Sequence, residues 1–159
     1  MLNKNLQIYF DMDGVLADFG KEKNAVKRFA TENGFFYNLK PIKKNVAFVK
    51  MLIQKGFNVN ILSASPNHGA DEDKLNWIKK YLPELNLKNV IICRNHENKS
   101  DFVKNIENCL LIDDYTVNLI NWKLKGGKVV KFVNAYDSAK GKHLEHGIPF
   151  VKNLKKLMA

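Results

Sequence analysis

Apolar and polar positions alternate along the chain in two rhythms, short runs of strand length and longer stretches with helical spacing. Residues 6–10, LQIYF, form a mostly apolar run and predict a buried strand. Residues 21–33, KEKNAVKRFATEN, place Ala25, Val26, Phe29 and Ala30 on one helical face, and Gly34 follows as a C-cap. FFYNLKP, residues 35–41, has no period and predicts irregular, aromatic structure. From Ile42 to Lys55 the apolar positions Val46, Val49, Met51, Leu52 and Ile53 predict a second helix, stopped by Gly56. FNVNILS, 57–63, reads as a second strand. The turn-rich ASPNHGAD then leads into a helix over 71–82, with Asp71 as N-cap and Leu75, Ile78 and Leu82 at helical spacing. Pro83 ends it. Further strands are predicted at 89–93, 109–113 and 128–133, with a helix in YTVNLINWKLK that stops at Gly126-Gly127 and a short closing helix over 151–158.

Strands separated by helices imply βαβ units, hence an α/β fold with a Rossmann-like parallel sheet flanked by helices. No repeat or low-complexity linker interrupts residues 1–159, which read as a single domain. In such a sheet ligands bind beyond the carboxyl ends of the strands. The polar clusters fall at those ends. Asp11 and Asp13 follow the first strand, Ser63 ends the second, and Asp113 and Asp114 end the fourth.

Composition narrows the setting. Hydrophobic residues make up 45% of the 159, enough to bury one core. No apolar run approaches the roughly 18 residues that span a bilayer, and the N-terminal residues carry no signal-peptide pattern. A cytoplasmic protein with no membrane partner is expected. Cys93 and Cys109 lie in or beside apolar runs and predict buried, unpaired thiols, with no zinc-type spacing. The formal net charge of +10 favours anionic partners. These are nucleic acid, a phosphorylated small molecule or an acidic surface; the charge is dispersed with no long basic run, as a generally basic, solvated surface also gives, and nucleic acid stays open as a partner that is not favoured. Nothing in the sequence fixes an oligomeric state.

Four carboxylates brought to one crevice repel one another, and a bound cation relieves this. Oxygen ligands at strand tips suit Mg²⁺. One carboxylate can then attack phosphorus, and a second, two residues on, can protonate the leaving oxygen and later deprotonate water. A hydroxyl such as that of Ser63, backbone N–H groups in SAS (Ala64) or MDG, and a lysine would hold the phosphoryl oxygens.

These residues carry a resemblance. DMDGVLADF resembles the first motif of the haloacid-dehalogenase superfamily of phosphohydrolases, in the form found in the 5'(3')-deoxyribonucleotidases. ILSAS resembles the second motif and LLIDD the fourth. KLNWIKKYLP resembles the Lys-x-x-Trp helix that follows the second motif in that group. The resemblance runs over roughly residues 6–134. It implies that Asp11 is the nucleophile and Asp13 the general acid/base. It implies Mg²⁺ on Asp11, the Asp13 carbonyl and one of Asp113 and Asp114, and Ser63 and Ala64 at the phosphate. Phe19 falls where the group places an aromatic ring against the base. Lys99, in ENKSD, is the choice for the third-motif lysine, with Lys104 as its rival, and Arg94 is a candidate for phosphate or substrate. Arg94 and Lys99 are separated by four residues where the family has one, which implies a loop insertion. The helical cap is reduced to about residues 20–45, where Phe35, Phe36 and Tyr37 could stack a base or form the cap's own core. His68 is a candidate pocket residue, and His143 with His146 a weak metal pair.

The expected activity is a Mg²⁺-dependent phosphatase acting on a (deoxy)nucleoside monophosphate through an aspartyl-phosphate. A phosphatase of polynucleotide ends is the enzymatic alternative, favoured by charge and a small cap. A phosphoacceptor module and a silent binding protein are the non-enzymatic ones.

Overall fold

The computed structural model describes residues 2–137 and 141–158. Six strands, β1 (Gln7–Phe10), β2 (Asn58–Ser65), β3 (Val90–Arg94), β4 (Cys109–Asp113), β5 (Lys128–Phe132) and β6 (Phe150–Val151), form one sheet. Their order is β3-β2-β1-β4-β5-β6, and every pairing is parallel. Among the described residues six α-helices accompany them: α1 (Ala25–Arg28), α2 (Phe35–Asn38), α3 (Lys43–Gln54), α4 (His68–Tyr81), α5 (Thr116–Leu124) and α6 (Lys142–Glu145).

The sheet is covered on both faces, as a parallel sheet requires. Along β1 the side chains alternate. Ile8 and Phe10 enter a core with Val46, Val49 and Leu52 of α3 and Trp77 and Ile78 of α4. Tyr9 turns the other way and joins Leu119 and Trp122 of α5. Cys93 and Cys109 are buried free thiols. No helix among the described residues is long and apolar enough to cross a membrane.

The five strands read from the pattern are present, together with α3, α4 and α5. Three differences have physical causes. The helix expected over 21–33 is broken into a 3-10 turn (Phe19–Lys21) and the four-residue α1. Asn24 sits in the left-handed region at φ 57°, which ends one turn and starts another, and Val26 is left exposed. FFYNLKP is not wholly irregular, because its first four residues form α2 behind Gly34 at φ 75°. Asn67 rather than Asp71 caps α4, its side chain accepting a bond from the Ala70 N–H at 3.0 Å. The two-residue β6 carries no periodicity of its own and is held by β5.

β1 lies between β2 and β4, so the carboxyl ends of these three neighbours open on one side of the sheet. The short segment from Phe19 to Asn38 stands over that side. Trp77 of α4 ties it down, donating from Nε1 to the Leu39 carbonyl at 2.8 Å.

Candidate active site

The chain leaves β1 through Asp11, whose N–H donates to the Ile112 carbonyl of β4 at 2.9 Å. It then turns back sharply. The Leu16 and Ala17 N–H groups both donate to the Met12 carbonyl at 2.8 Å, and the Gly14 N–H donates to Ala17. Gly14 makes this possible at φ +76°. It also permits close approach, since a Cβ there would lie 2.0 Å from Asp114 Oδ2. The loop after β1 and the loop after β4 therefore meet across a residue with no side chain.

Asp11, Asp113 and Asp114 each bring a carboxylate oxygen within 4.8 Å of the others. Lys99 is 2% exposed and bridges two of them, with Nζ donating to Asp11 Oδ1 at 2.6 Å and to Asp113 Oδ2 at 2.7 Å. Lys104, its rival, is exposed at the surface. Asp113 is heavily engaged, accepting further bonds from the Tyr115 N–H at 2.8 Å and from Asn118 Nδ2 at 3.0 Å. Asp114 accepts from Asn134 Nδ2 at 2.9 Å and is the freer carboxylate among the described residues.

Asp13 is held by a different cation. Lys74, on α4 and fully buried, donates to Asp13 Oδ2 and to Ser63 Oγ, the latter at 2.9 Å. Its ammonium also lies 4.2 Å from the centre of the Phe36 ring. Asp13 Oδ1 is buried and has no partner among the described residues. A third lysine, Lys131 on β5, is also fully buried. Its Nζ donates to the Asp114 carbonyl at 2.5 Å and to Thr116 Oγ1 at 3.1 Å, and lies 3.3 Å from Asp137 Oδ2. It fixes the backbone of the β4 loop from beneath.

Burial pushes the Asp11 carboxyl up to about 7, against the pull of Lys99 and with a smaller push from Asp113 and Asp13. Asp114 is raised well above the usual carboxylate range, first by burial and then by Asp113 and Asp11. For Lys99 burial works to lower the value, but Asp11 and Asp113 outweigh it and the net direction is up. The crevice thus gathers more carboxylate than its buried lysines neutralise. All the unspent donors are oxygens at the tip of a sheet, a set that suits a hard cation such as Mg²⁺.

These groups floor a cavity of about 990 Å³. Asp11, Asp13, Lys99, Asp114, Ala64 and Phe19 reach its lining. Ser63 lies beneath the lining, fully buried against Lys74. Arg94 is not brought to the site. Its guanidinium binds Asp71 through two bonds of 2.7 Å and lies outside the cavity, with His68 beside it at 3.2 Å. Arg94 above all, with smaller help from Ser65 and His68, holds the Asp71 carboxyl down at about 2. Tyr37 faces a separate cavity with Lys80, Phe35 packs inside the segment from Phe19 to Asn38, and Phe36, buried beside it, reaches the lining of the main cavity. His143 is buried against the Phe150 ring and His146 is exposed, neither near the site.

Four residues here were not singled out from sequence: Lys74, Lys131, Asn118 and Asn134. For Lys74 a signal existed, since it opens the Lys-x-x-Trp helix. Asn134 follows the fifth strand, an end left blank by the strand-end reading.

The chain matches, over residues 20–147, the family described as 5' nucleotidase, deoxy (pyrimidine), cytosolic type C protein. It is 34% identical over 122 residues to a protein of Vibrio phage KVP40 described as "Putative 5'(3')-deoxyribonucleotidase", covering 70% of this chain and 67% of that one. A 5'(3')-deoxyribonucleotidase of Clostridium acetobutylicum is 37% identical over 75 residues, 46% of this chain and 36% of that protein's length. Among solved structures, a HAD family hydrolase of Deinococcus radiodurans R1 with bound phosphate and sodium superimposes with a TM-score of 0.72 at 12% identity. It covers 98% of this chain and 94% of its own.

Proposed function

Because this chain belongs to the family described as 5' nucleotidase, deoxy (pyrimidine), cytosolic type C protein, and is a phosphoric monoester hydrolase of the haloacid-dehalogenase superfamily, we propose that it hydrolyses a deoxynucleoside monophosphate in the cytoplasm, with Mg²⁺, through an aspartyl-phosphate on Asp11. One observation carries the division of labour. The two acids of the first loop are held by different buried lysines, Asp11 by Lys99 and Asp13 by Lys74. Each therefore has its own polar surroundings and can take its own task.

In the first step an Asp11 carboxylate oxygen attacks phosphorus and the P–O ester bond breaks. The departing alkoxide takes a proton from Asp13, whose partnerless Oδ1 supports this role. In the second step water attacks the phosphoryl group and gives its proton to Asp13. The Asp11–phosphorus bond breaks, orthophosphate leaves and both acids return to their starting state. Lys99, against Asp11, supplies positive charge where the phosphoryl oxygens gather it. Asp11, Asp114 and the Asp13 carbonyl would hold the Mg²⁺, which draws charge from the phosphoryl group. Lys131 and Asn134 keep Asp114 in place for that duty. Ser63 and Lys74 form the support behind Ala64, and residues 20–45 act as a reduced cap.

A phosphate-release screen tests this reading. Deoxynucleoside monophosphates, sugar phosphates and phosphorylated oligonucleotides are assayed with Mg²⁺ and with EDTA. Release from a deoxynucleoside monophosphate that EDTA abolishes is expected. No metal-dependent release from any of them would overturn the proposal, and release from oligonucleotide ends alone would replace its substrate.

A further inference from the structure

The cavity is lined by five aromatic rings, and they differ in what they can offer a ligand. Phe19, Phe29 and Phe36 come from the cap segment, where they pack edge-to-face with Phe35 and one another at centroid distances of 5.2–6.4 Å. Phe36 is 2% exposed, and Lys74 lies over its ring. These rings pack against one another, and Phe19 and Phe29 are half-buried where they reach the cavity. The other two rings, Tyr115 and Tyr136, come from the loops after β4 and β5 and are 61% and 53% exposed.

Tyr136 has a prepared seat. A Cβ built on Gly20 would fall 2.6 Å from both Cγ and Cδ2 of its ring, so the ring rests directly on backbone where any other residue would displace it. Gly20 has no positive φ, so its lack of a side chain answers to this contact and not to its own conformation. The Tyr136 backbone is tied to the reaction centre as well. Its N–H donates to Asn134 Oδ1 at 2.9 Å, and Asn134 Nδ2 donates to the Gly14 carbonyl at 3.0 Å and to Asp114 Oδ2 at 2.9 Å. One residue thus links an aromatic ring at the mouth to the acid pair at the floor.

Resting on the nucleotidase reading above, we propose that Tyr136, seated on Gly20, is a platform on which the base of the nucleotide stacks, so that part of the base affinity comes from a core loop. A held ring loses little freedom on binding, and stacking a base on an aromatic side chain is tolerant of base identity.

The test compares wild type with Tyr136→Ala, Tyr136→Phe and Gly20→Ala, with Mg²⁺ present. Two quantities are read, KM for a pyrimidine deoxynucleoside 5'-monophosphate and the inhibition constant of inorganic phosphate, which has no base. Tyr136→Ala should raise KM roughly 5- to 150-fold, the range of one lost base stack, with the phosphate constant unchanged. Gly20→Ala should raise KM in the same sense by lifting the ring off its seat, and Tyr136→Phe should behave as wild type. If wild type is active and Tyr136→Ala leaves KM unchanged, or moves KM and the phosphate constant together, the platform is refuted while the phosphatase reading stands. A wild type that releases no phosphate from the nucleotide would overturn both.

Discussion

The strand tips and the cap segment face each other across one cavity and are built on opposite plans. At the tips most of the charge is fixed. Asp11, Asp13 and Asp113 are bound by lysines with almost no exposure, and each lysine has at least two polar partners. In the cap the charges lie in water. Arg28 pairs with Glu32 and Glu22 on a surface of four-residue helical pieces, and the segment's interior is made largely of phenylalanines. The lesson is that charge geometry for the reaction is set before any ligand arrives, whereas the wall opposite is a thin apolar shelf.

The contrast can be broken most directly at Asp11. Asp11→Asn should lower phosphate release by at least about a thousandfold while leaving the melting temperature unchanged or higher, because a buried charge has gone. Comparable activity, or a collapse of the fold, would contradict the role given to this residue. Lys99→Met goes further on the stability side. It strands Asp11 and Asp113 without their cation and should cost about 3–5 kcal/mol in urea denaturation, with activity lost as well. A small change in midpoint would mean the tips are not held by this pair.

The titration of the metal-free protein is expected to give a smaller effect, of definite sign. Asp11 rises on folding from the ordinary 3.8 to about 7, so the folded state holds a proton that the unfolded chain has released. That contribution is complete below about pH 4 and is lost as pH climbs through about 7. Asp114, raised in the same direction, adds to it. Stability measured with EDTA should fall from pH 4 to 7, and Mg²⁺ should flatten the slope; a slope that Mg²⁺ leaves unchanged would argue against a cation at these carboxylates. Least should happen in the cap. Arg28→Ala should leave both kcat and the denaturation midpoint within error, since exposed ion pairs contribute little. A marked loss would show that the cap's surface charges matter to the site after all.

Much of the architecture was legible because strand and helix periods are local. β1 to β5 and α3 to α5 declare themselves within a dozen residues each. The acids and Ser63 were legible because a parallel sheet gathers its strand ends. Lys99 was reached through the resemblance, and the structure puts it between Asp11 and Asp113. Lys74 and Lys131 were not legible. A lysine in a basic chain reads as surface charge, and its burial becomes sensible only beside partners such as Asp13, 61 positions away. The break in the cap helix turns on one left-handed asparagine, which no apolar period reports. Arg94 went astray for the opposite reason, because Asp71, one turn into α4, claims its guanidinium.

The buried lysines also give the protein a covalent fingerprint. Amine-acylating reagents are attacked by lysine amines that can lose a proton to water, so Lys104 and other surface lysines should be tagged readily. Lys74 and Lys131, sealed under the cavity floor, and Lys99, almost fully buried and paired with two carboxylates, should stay unmodified until the chain opens. Peptide mapping after brief acylation would therefore report, without any substrate, what fraction of molecules carries an assembled floor.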